Sequence, residues 1–297
     1  MLQNQQSLSE SSEKLKTGII TGFEVFDAQG GLHPGTTVVI GSFSGMGKSA
    51  FATAVAGNMA KDGVPVGIIS LEMKANEIVS RLIAIDSFCQ SRRSPVPKLS
   101  VTQILRNVPK RTLSETALLH DILSSIENLP IVFQDKSAYL SAILTTIKEM
   151  VEIQQVKVIV VDYLQMIIAD KNDANIPREE FMTMVTNQLK VLAKQYDICI
   201  VELSQLTLDE NNRPYRDPQY WTFRGPQSIY DNADMVVMLN RPENEINEPL
   251  KYIGKFREQD IKNTAELIVM KSKGEKSDTR YLIGFEAPST AFYELEV

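Results

Sequence analysis

Two cysteines in 297 residues, Cys89 and Cys199, stand far apart and in no CxxC pair. That excludes a disulfide framework and points to a reducing compartment. The two histidines, His33 and His120, are too few for a histidine-based metal site. His33 follows Gly30-Gly31-Leu32 in a turn and reads as a surface residue. No apolar run approaches the ~20 residues of a membrane span. Met1 to Lys16 is too polar for a signal peptide, so a cytoplasmic protein without membrane contact is expected. Basic charge is not in excess: 31 Lys and Arg against 37 Asp and Glu leave −6. This argues against a purely electrostatic nucleic-acid binder but leaves room for a local basic channel.

One stretch organises what is there: Ser42-Phe43-Ser44-Gly45-Met46-Gly47-Lys48-Ser49. The β-branched run Thr36 to Ile40 precedes it as a strand, and Lys48 to Lys61 follows as a helix with Phe51, Ala54, Val55 and Met59 on one face. Strand, Gly-rich turn and helix are the setting of a phosphate-binding loop. Gly45 and Gly47 let backbone N–H groups turn inward, and the helix N-terminus adds partial positive charge. Lys48 reaches outer phosphates, and Ser49 offers a hydroxyl to magnesium. Ser42 stands where the strict pattern has glycine, and taken alone the stretch is equally a plain helix start.

Further strands are predicted at Val66–Ser70, Ile131–Phe133, Val156–Asp162, Ile198–Leu203 and Met235–Leu239. Helices are predicted from Ala75 to about Asp86, Leu140 to Gln154, and Pro177 to Tyr196, the last with Phe181, Val185, Leu189 and Leu192 inward. The end reads as antiparallel β: Ala265–Lys271, Arg280–Glu286 and Ala291–Leu295. Alternating β and α followed by β alone predicts an α/β fold, a mostly parallel sheet with helices on both faces and antiparallel strands at the C-terminal end. Residues 1–16 read as a flexible tail and 17–297 as one domain. Residues 241–263 are charged, carry two prolines and look like a surface insertion.

Several polar residues fall where such sheets bind ligands. Glu72, just past the second strand, is either a base that orients water on a γ-phosphate or a carboxylate favoured at a helix start. Asp162 closes the fourth strand without a turn residue after it, which suits a magnesium ligand opposite Ser49. Gln205 is placed to sense the γ-phosphate, or is a strand-end amide bonded to backbone. Residues 88 to 112 hold Arg92, Arg93, Lys98, Arg106, Lys110 and Arg111 with no acid. A solvated helical face is preferred there over a nucleic-acid patch. The polar stretch 207–227 mixes Arg213, Arg216 and Arg224 with Trp221, a combination suited to a nucleic-acid backbone; Trp221 alone would also serve as a packing anchor.

Together these motifs resemble one family, the RecA-like motor domain of DnaB-type replicative helicases. Thr21-Gly22-Phe23 with Gly30 to Gly35 looks like its entry, and Ser44 to Ser49 like its phosphate loop, which also commonly lacks the first glycine. Ser70-Leu71-Glu72-Met73, Val161-Asp162-Tyr163-Leu164-Gln165 and Leu203-Ser204-Gln205-Leu206 follow in the family's order. Ser228-Ile229, Ala233-Asp234 and the strand into Lys271 continue it. The resemblance spans about residues 17 to 295.

It implies a RecA-like P-loop NTPase using ATP and Mg2+. Ser44, Gly45, Met46, Gly47, Lys48, Ser49 and Ala50 would hold nucleotide. Ser49 and Asp162 would hold metal, Glu72 would be the catalytic carboxylate and Gln205 a sensor. It also implies a homo-oligomer, usually a hexameric ring, around single-stranded DNA, with a helicase loader or primase as further partners. Arg213, Arg224 and Gly225 are expected on DNA, although Arg224-Gly225-Pro226-Gln227 replaces the family's usual Arg-Glu-Ser-Gly. Lys271 and Lys273 stand where the family offers a lysine and then an arginine to a neighbouring subunit's nucleotide. The family's N-terminal collar is not expected within these 297 residues. Two other readings stay open: a RecA/KaiC-like ATPase that does not unwind, and a non-catalytic adaptor.

Overall fold

Each β-branched run becomes a strand of one sheet. The computed structural model describes residues 18–106, 111–206, 226–241, 262–272 and 279–295. The strands are β1 (Thr37–Ser42), β2 (Val66–Ser70), β3 (Ile131–Gln134), β4 (Val158–Asp162), β5 (Cys199–Gln205), β6 (Met235–Asn240), β7 (Thr264–Lys271), β8 (Thr279–Glu286) and β9 (Ala291–Glu294). Among the described residues their order is β3-β2-β4-β5-β1-β6-β7-β8-β9. The first six are parallel and the last three antiparallel. The central strands β1, β2 and β4 are buried along their whole length, as strands covered on both faces must be.

The helices are α1 (Glu24–Asp27), α2 (Lys48–Lys61), α3 (Ala75–Arg93), α4 (Val101–Leu105), α5 (Leu113–Ile126), α6 (Leu140–Glu152), α7 (Arg178–Tyr196) and α8 (Ser228–Asn232). Alternation along β1 separates two cores: Val38 and Ile40 face α2, while Val39 faces the side of α6 and α7. The expected inward residues of α7, Phe181, Val185, Leu189 and Leu192, are all buried. So are Phe23, Val25, Phe26 and Leu32 near the entry. His33 is half-buried, its Nε2 3.0 Å from the Gln29 carbonyl oxygen.

Two helices depart from expectation. α2 is buried on nearly every side rather than along one stripe, because α3 and β9 cover the face turned away from the sheet. α3 runs seven residues past Asp86. Its polar interruption is satisfied from elsewhere: Asp86 pairs with Lys61 on α2, and the Ser87 hydroxyl bonds the Ala84 carbonyl and accepts from Leu99 N–H at 3.0 Å. The basic run is only partly a solvated face. Arg92 stacks on the Tyr293 ring at 4.5 Å, Lys98 lies 3.6 Å from Glu286, and Arg111 donates to the Gln103 carbonyl at 2.8 Å. Arg92 and Lys98 thereby tie this helical segment to β8 and β9. Among the described residues no helix is long and apolar enough to cross a membrane.

Candidate active site

The parallel strands deliver their carboxyl ends to one edge. Ser70 stands beside Asp162 in register, and Ser42 beside Gln205. Leu71 N–H donates to the Asp162 carbonyl at 2.7 Å and Leu206 N–H to the Ser42 carbonyl at 2.9 Å, so the chain is still tied down where it leaves the strands. A cavity of about 490 Å³ opens at this edge. Ser44, Gly45, Gly47, Lys48, Ser49, Ala50, Glu72, Tyr163 and Gln205 line it, as does Arg81 on α3.

The phosphate loop has the expected geometry. Gly45 and Gly47 have φ of +82° and +96°, in the left-handed region that side chains resist. A Cβ on Gly47 would also stand 2.9 Å from the Phe292 ring. Gly47 caps α2 without a side-chain hydrogen bond, so the first N–H groups of a 14-residue helix point at the cavity unclaimed by any cap. Met46 differs from its neighbours: its side chain is buried, and only its backbone remains for a ligand.

Lys48 is the charged centre. Its Nζ lies 3.9 Å from Asp162 Oδ1 and 4.5 Å from the Tyr163 ring centroid. Burial pulls the ammonium below its ordinary pKa, while Asp162 and Glu72 act the other way. Asp162 is 5% exposed, and its Oδ1 is buried without a hydrogen-bond partner. A buried carboxylate oxygen left without a donor is costly, and a cation with its phosphates would relieve that cost. Together with the Ser49 hydroxyl it fits magnesium, which takes few protein ligands. Glu72 is exposed at the rim, with room to meet water.

Arg81 was not singled out by sequence reasoning. Burial lowers its pKa, opposed by Asp162, Glu77 and Glu72, and its Nε is buried without a hydrogen-bond partner. A signal existed: Arg81 lies between Ile78 and Ile85 on the buried stripe of α3, where an arginine needs a reason. The far wall was missed too. Phe285, Ala287, Thr290 and Arg241 complete the cavity, with the Arg241 guanidinium 3.9 Å from the Phe285 ring centroid. The Thr290 hydroxyl is buried there without a partner.

Lys271 is nowhere near this cavity. It pairs with Val236 at the start of β6, on the opposite edge of the sheet. Its ammonium donates to the carbonyls of Tyr230 at 3.0 Å and Asp231 at 2.8 Å, closing the end of α8. Lys273, Arg213, Arg216, Trp221, Arg224, Gly225, tail residues 1–16 and most of the 241–263 insertion lie outside the described residues.

A family model described as the DnaB-like helicase C terminal domain matches residues 18–294. A Mycoplasma genitalium protein named replicative DNA helicase DnaB is 29% identical over 296 residues, covering 93% of this chain and 58% of that protein. The chain spans about half the length of the curated relatives it matches. Among solved structures, one described as an ATPase domain superposes with a TM-score of 0.81 at 22% identity, covering 99% of this chain and 98% of that one. A structure described as a DnaB-like replicative helicase and its interactions with primase gives 0.80 at 23% identity, covering 99% of this chain and 66% of the other. These two likenesses concern the fold.

Proposed function

The chain belongs to the DnaB-like helicase C-terminal domain family, and from that premise we propose that it is an ATP-hydrolysing motor that moves single-stranded DNA through a homo-oligomeric, six-membered ring. The observation that carries this reading is the gathering of unmet polar groups at one cavity. Lys48, Arg81 and Thr290 line it at the edge where four strands end, Asp162 Oδ1 lies 3.9 Å from the Lys48 ammonium, and Asp162 Oδ1, Arg81 Nε and the Thr290 hydroxyl are buried there without hydrogen-bond partners.

Within that space each side chain has a task. Backbone N–H groups from Ser44 to Ala50 and the Lys48 ammonium hold the phosphates. Asp162 and Ser49 are the protein groups for magnesium, which when bound offsets phosphate charge. Glu72 orients the attacking water and accepts its proton. Gln205 meets the γ-phosphate end of the cavity. Arg81 adds a second cation from the same subunit, supporting the charge of the transferring phosphoryl group. Phe285 and Arg241 offer a planar, half-apolar wall to a base.

A trans-acting cation fits the position of Lys271 and the hairpin that follows it. Lys271 stands on the edge away from this subunit's own cavity, so any nucleotide reached from there belongs to a neighbour. Since Lys271 already closes α8, Lys273 is the better candidate. Arg213, Arg224 and Gly225 are proposed DNA contacts, and a primase or loader is a proposed partner, as a primase is for one structural relative. The test is ATP turnover with and without single-stranded DNA, together with strand displacement. DNA-stimulated turnover with displacement is expected. Turnover without displacement points to a RecA/KaiC-like ATPase, and no turnover to an adaptor.

A further inference from the structure

The segment after β4 holds a side chain that acts on a different strand. β4 and β5 pair up to Val161 and Glu202. Past that point Ser204 and Gln205 keep β1 on one side and have no β4 ladder partner on the other. Gln165 fills the gap. Its Oε1 accepts from Gln205 N–H at 3.1 Å, and its Nε2 donates to Ser204 Oγ at 2.8 Å and to the Gln205 carbonyl at 3.4 Å. Because the Gln205 backbone presents a donor, the orientation of the amide is set by chemistry. One side-chain amide replaces a residue of strand. Its own backbone is braced in turn: Arg178, at the start of α7, donates to the carbonyls of Gln165 and Ile167, each at 2.8 Å.

The same short segment touches the cavity at two points. Tyr163 lies under the Lys48 ammonium, and two residues later Gln165 grips the strand end that carries Gln205. Tyr163 and Gln205 both line the cavity. We propose that Gln165 is a positioning residue, which holds Gln205 in register with the nucleotide site and transmits the state of Lys48 and Tyr163 to the end of β5. The inference rests on the ATP-site reading above. In the step it serves, the water oxygen bonds to the γ-phosphorus as the bond to the β,γ-bridging oxygen breaks. ADP leaves with that electron pair, and the water's proton passes to Glu72 and then to solvent. Gln165 touches none of these atoms.

Gln165→Met keeps the length and removes the hydrogen bonds. Its KM for ATP is expected to stay within about twofold, because the phosphate grip is intact. Its kcat with saturating single-stranded DNA is expected to fall about tenfold, with stimulation by DNA approaching one. Gln165→Glu keeps the acceptor for Gln205 N–H, and the Ser204 hydroxyl can rotate to donate to it; this variant should retain clearly more kcat than Gln165→Met. Wild-type kcat and stimulation in Gln165→Met would overturn the proposal, as would KM rising in step with the loss of kcat. Should Gln165→Met fail to fold, Ser204→Ala removes one of the three hydrogen bonds alone. Lower kcat at constant KM supports the proposal there, and unchanged kcat overturns it. A wild-type protein that neither binds nor hydrolyses ATP would instead bring down the site reading, and this inference with it.

Discussion

The two edges of the parallel sheet treat their polar groups in opposite ways. At the carboxyl edge, Asp162 Oδ1, Arg81 Nε and the Thr290 hydroxyl are buried without hydrogen-bond partners around an open cavity. At the amino edge polar groups complete one another. Asp234 Oδ2 accepts from Thr37 N–H at 3.1 Å, and Lys190 reaches Asp234 Oδ1 at 3.4 Å and also meets the Asn232 carbonyl. The Asn232 amide bonds Thr186 and Asn187, and Lys271 closes α8. A folded chain tolerates unmet buried groups where a ligand will meet them, and satisfies them where its own structure is the purpose. Charge alone does not separate the two edges; completeness does.

The sharpest way to break this contrast is at the unmet edge. Lys48→Ala should abolish nucleotide binding, whereas Glu72→Gln should still bind ATP yet lose kcat by about a hundredfold to ten-thousandfold. Equilibrium binding and turnover measured on both proteins check this; near-normal turnover in Glu72→Gln would remove it from the mechanism. Arg81→Ala comes next, with kcat lower by about a hundredfold and a modest change in KM. The comparison to make is affinity for ADP against affinity for ADP with a phosphate-mimicking metal fluoride. A catalytic Arg81 weakens the second much more than the first, and equal losses would mean that the guanidinium only balances nearby carboxylates.

At the completed edge the effects should fall on stability. Glu202, midway along β5 and 2% exposed, has its pKa raised to about 8, chiefly by burial, with Lys190 acting against the rise and Asp234 with it. Unfolded, it ionises from about 4.5, so between there and about 8 the unfolded chain holds fewer protons. Stability contributed by this group is therefore full below about 4.5 and lost as pH rises through about 8. Glu202→Gln should flatten that fall, by on the order of a few kcal/mol across the window. Thermal melts of both proteins from pH 5 to 9 decide it, and parallel curves would show that Glu202 ionises normally. Lys271→Ala should have the smallest effect, costing about 1 kcal/mol through the lost helix-end contacts, a shift of about 2–4 °C in Tm. A large loss of ATPase at unchanged Tm would instead give Lys271 itself the trans role.

Legibility in the sequence followed distance along the chain. The phosphate loop was readable because Gly45, Gly47, Lys48 and Ser49 are neighbours whose spacing states their purpose. β2 and β4 were readable because strands buried on both faces are apolar along nearly their whole length. The end of α3 was not, since Asp86 and Ser87 look like a stop until Lys61 and Leu99 satisfy them. The full burial of α2 was hidden likewise, its second face being covered by β9 from far along the chain.

By itself, then, the sequence determined the strand and helix alternation, the Gly-rich turn before α2, and the placing of Glu72 and Asp162 at strand ends, because each is written in a few consecutive residues. Only the tertiary structure decided that Arg81 enters the same cavity, that Gln165 stands in for a missing piece of strand, and that Lys271 stands on the edge away from that cavity. Those facts depend on which strand ends lie side by side and which backbone groups are left unpaired there. Both are set when the sheet assembles in the order β2-β4-β5-β1, an order that no local spacing records.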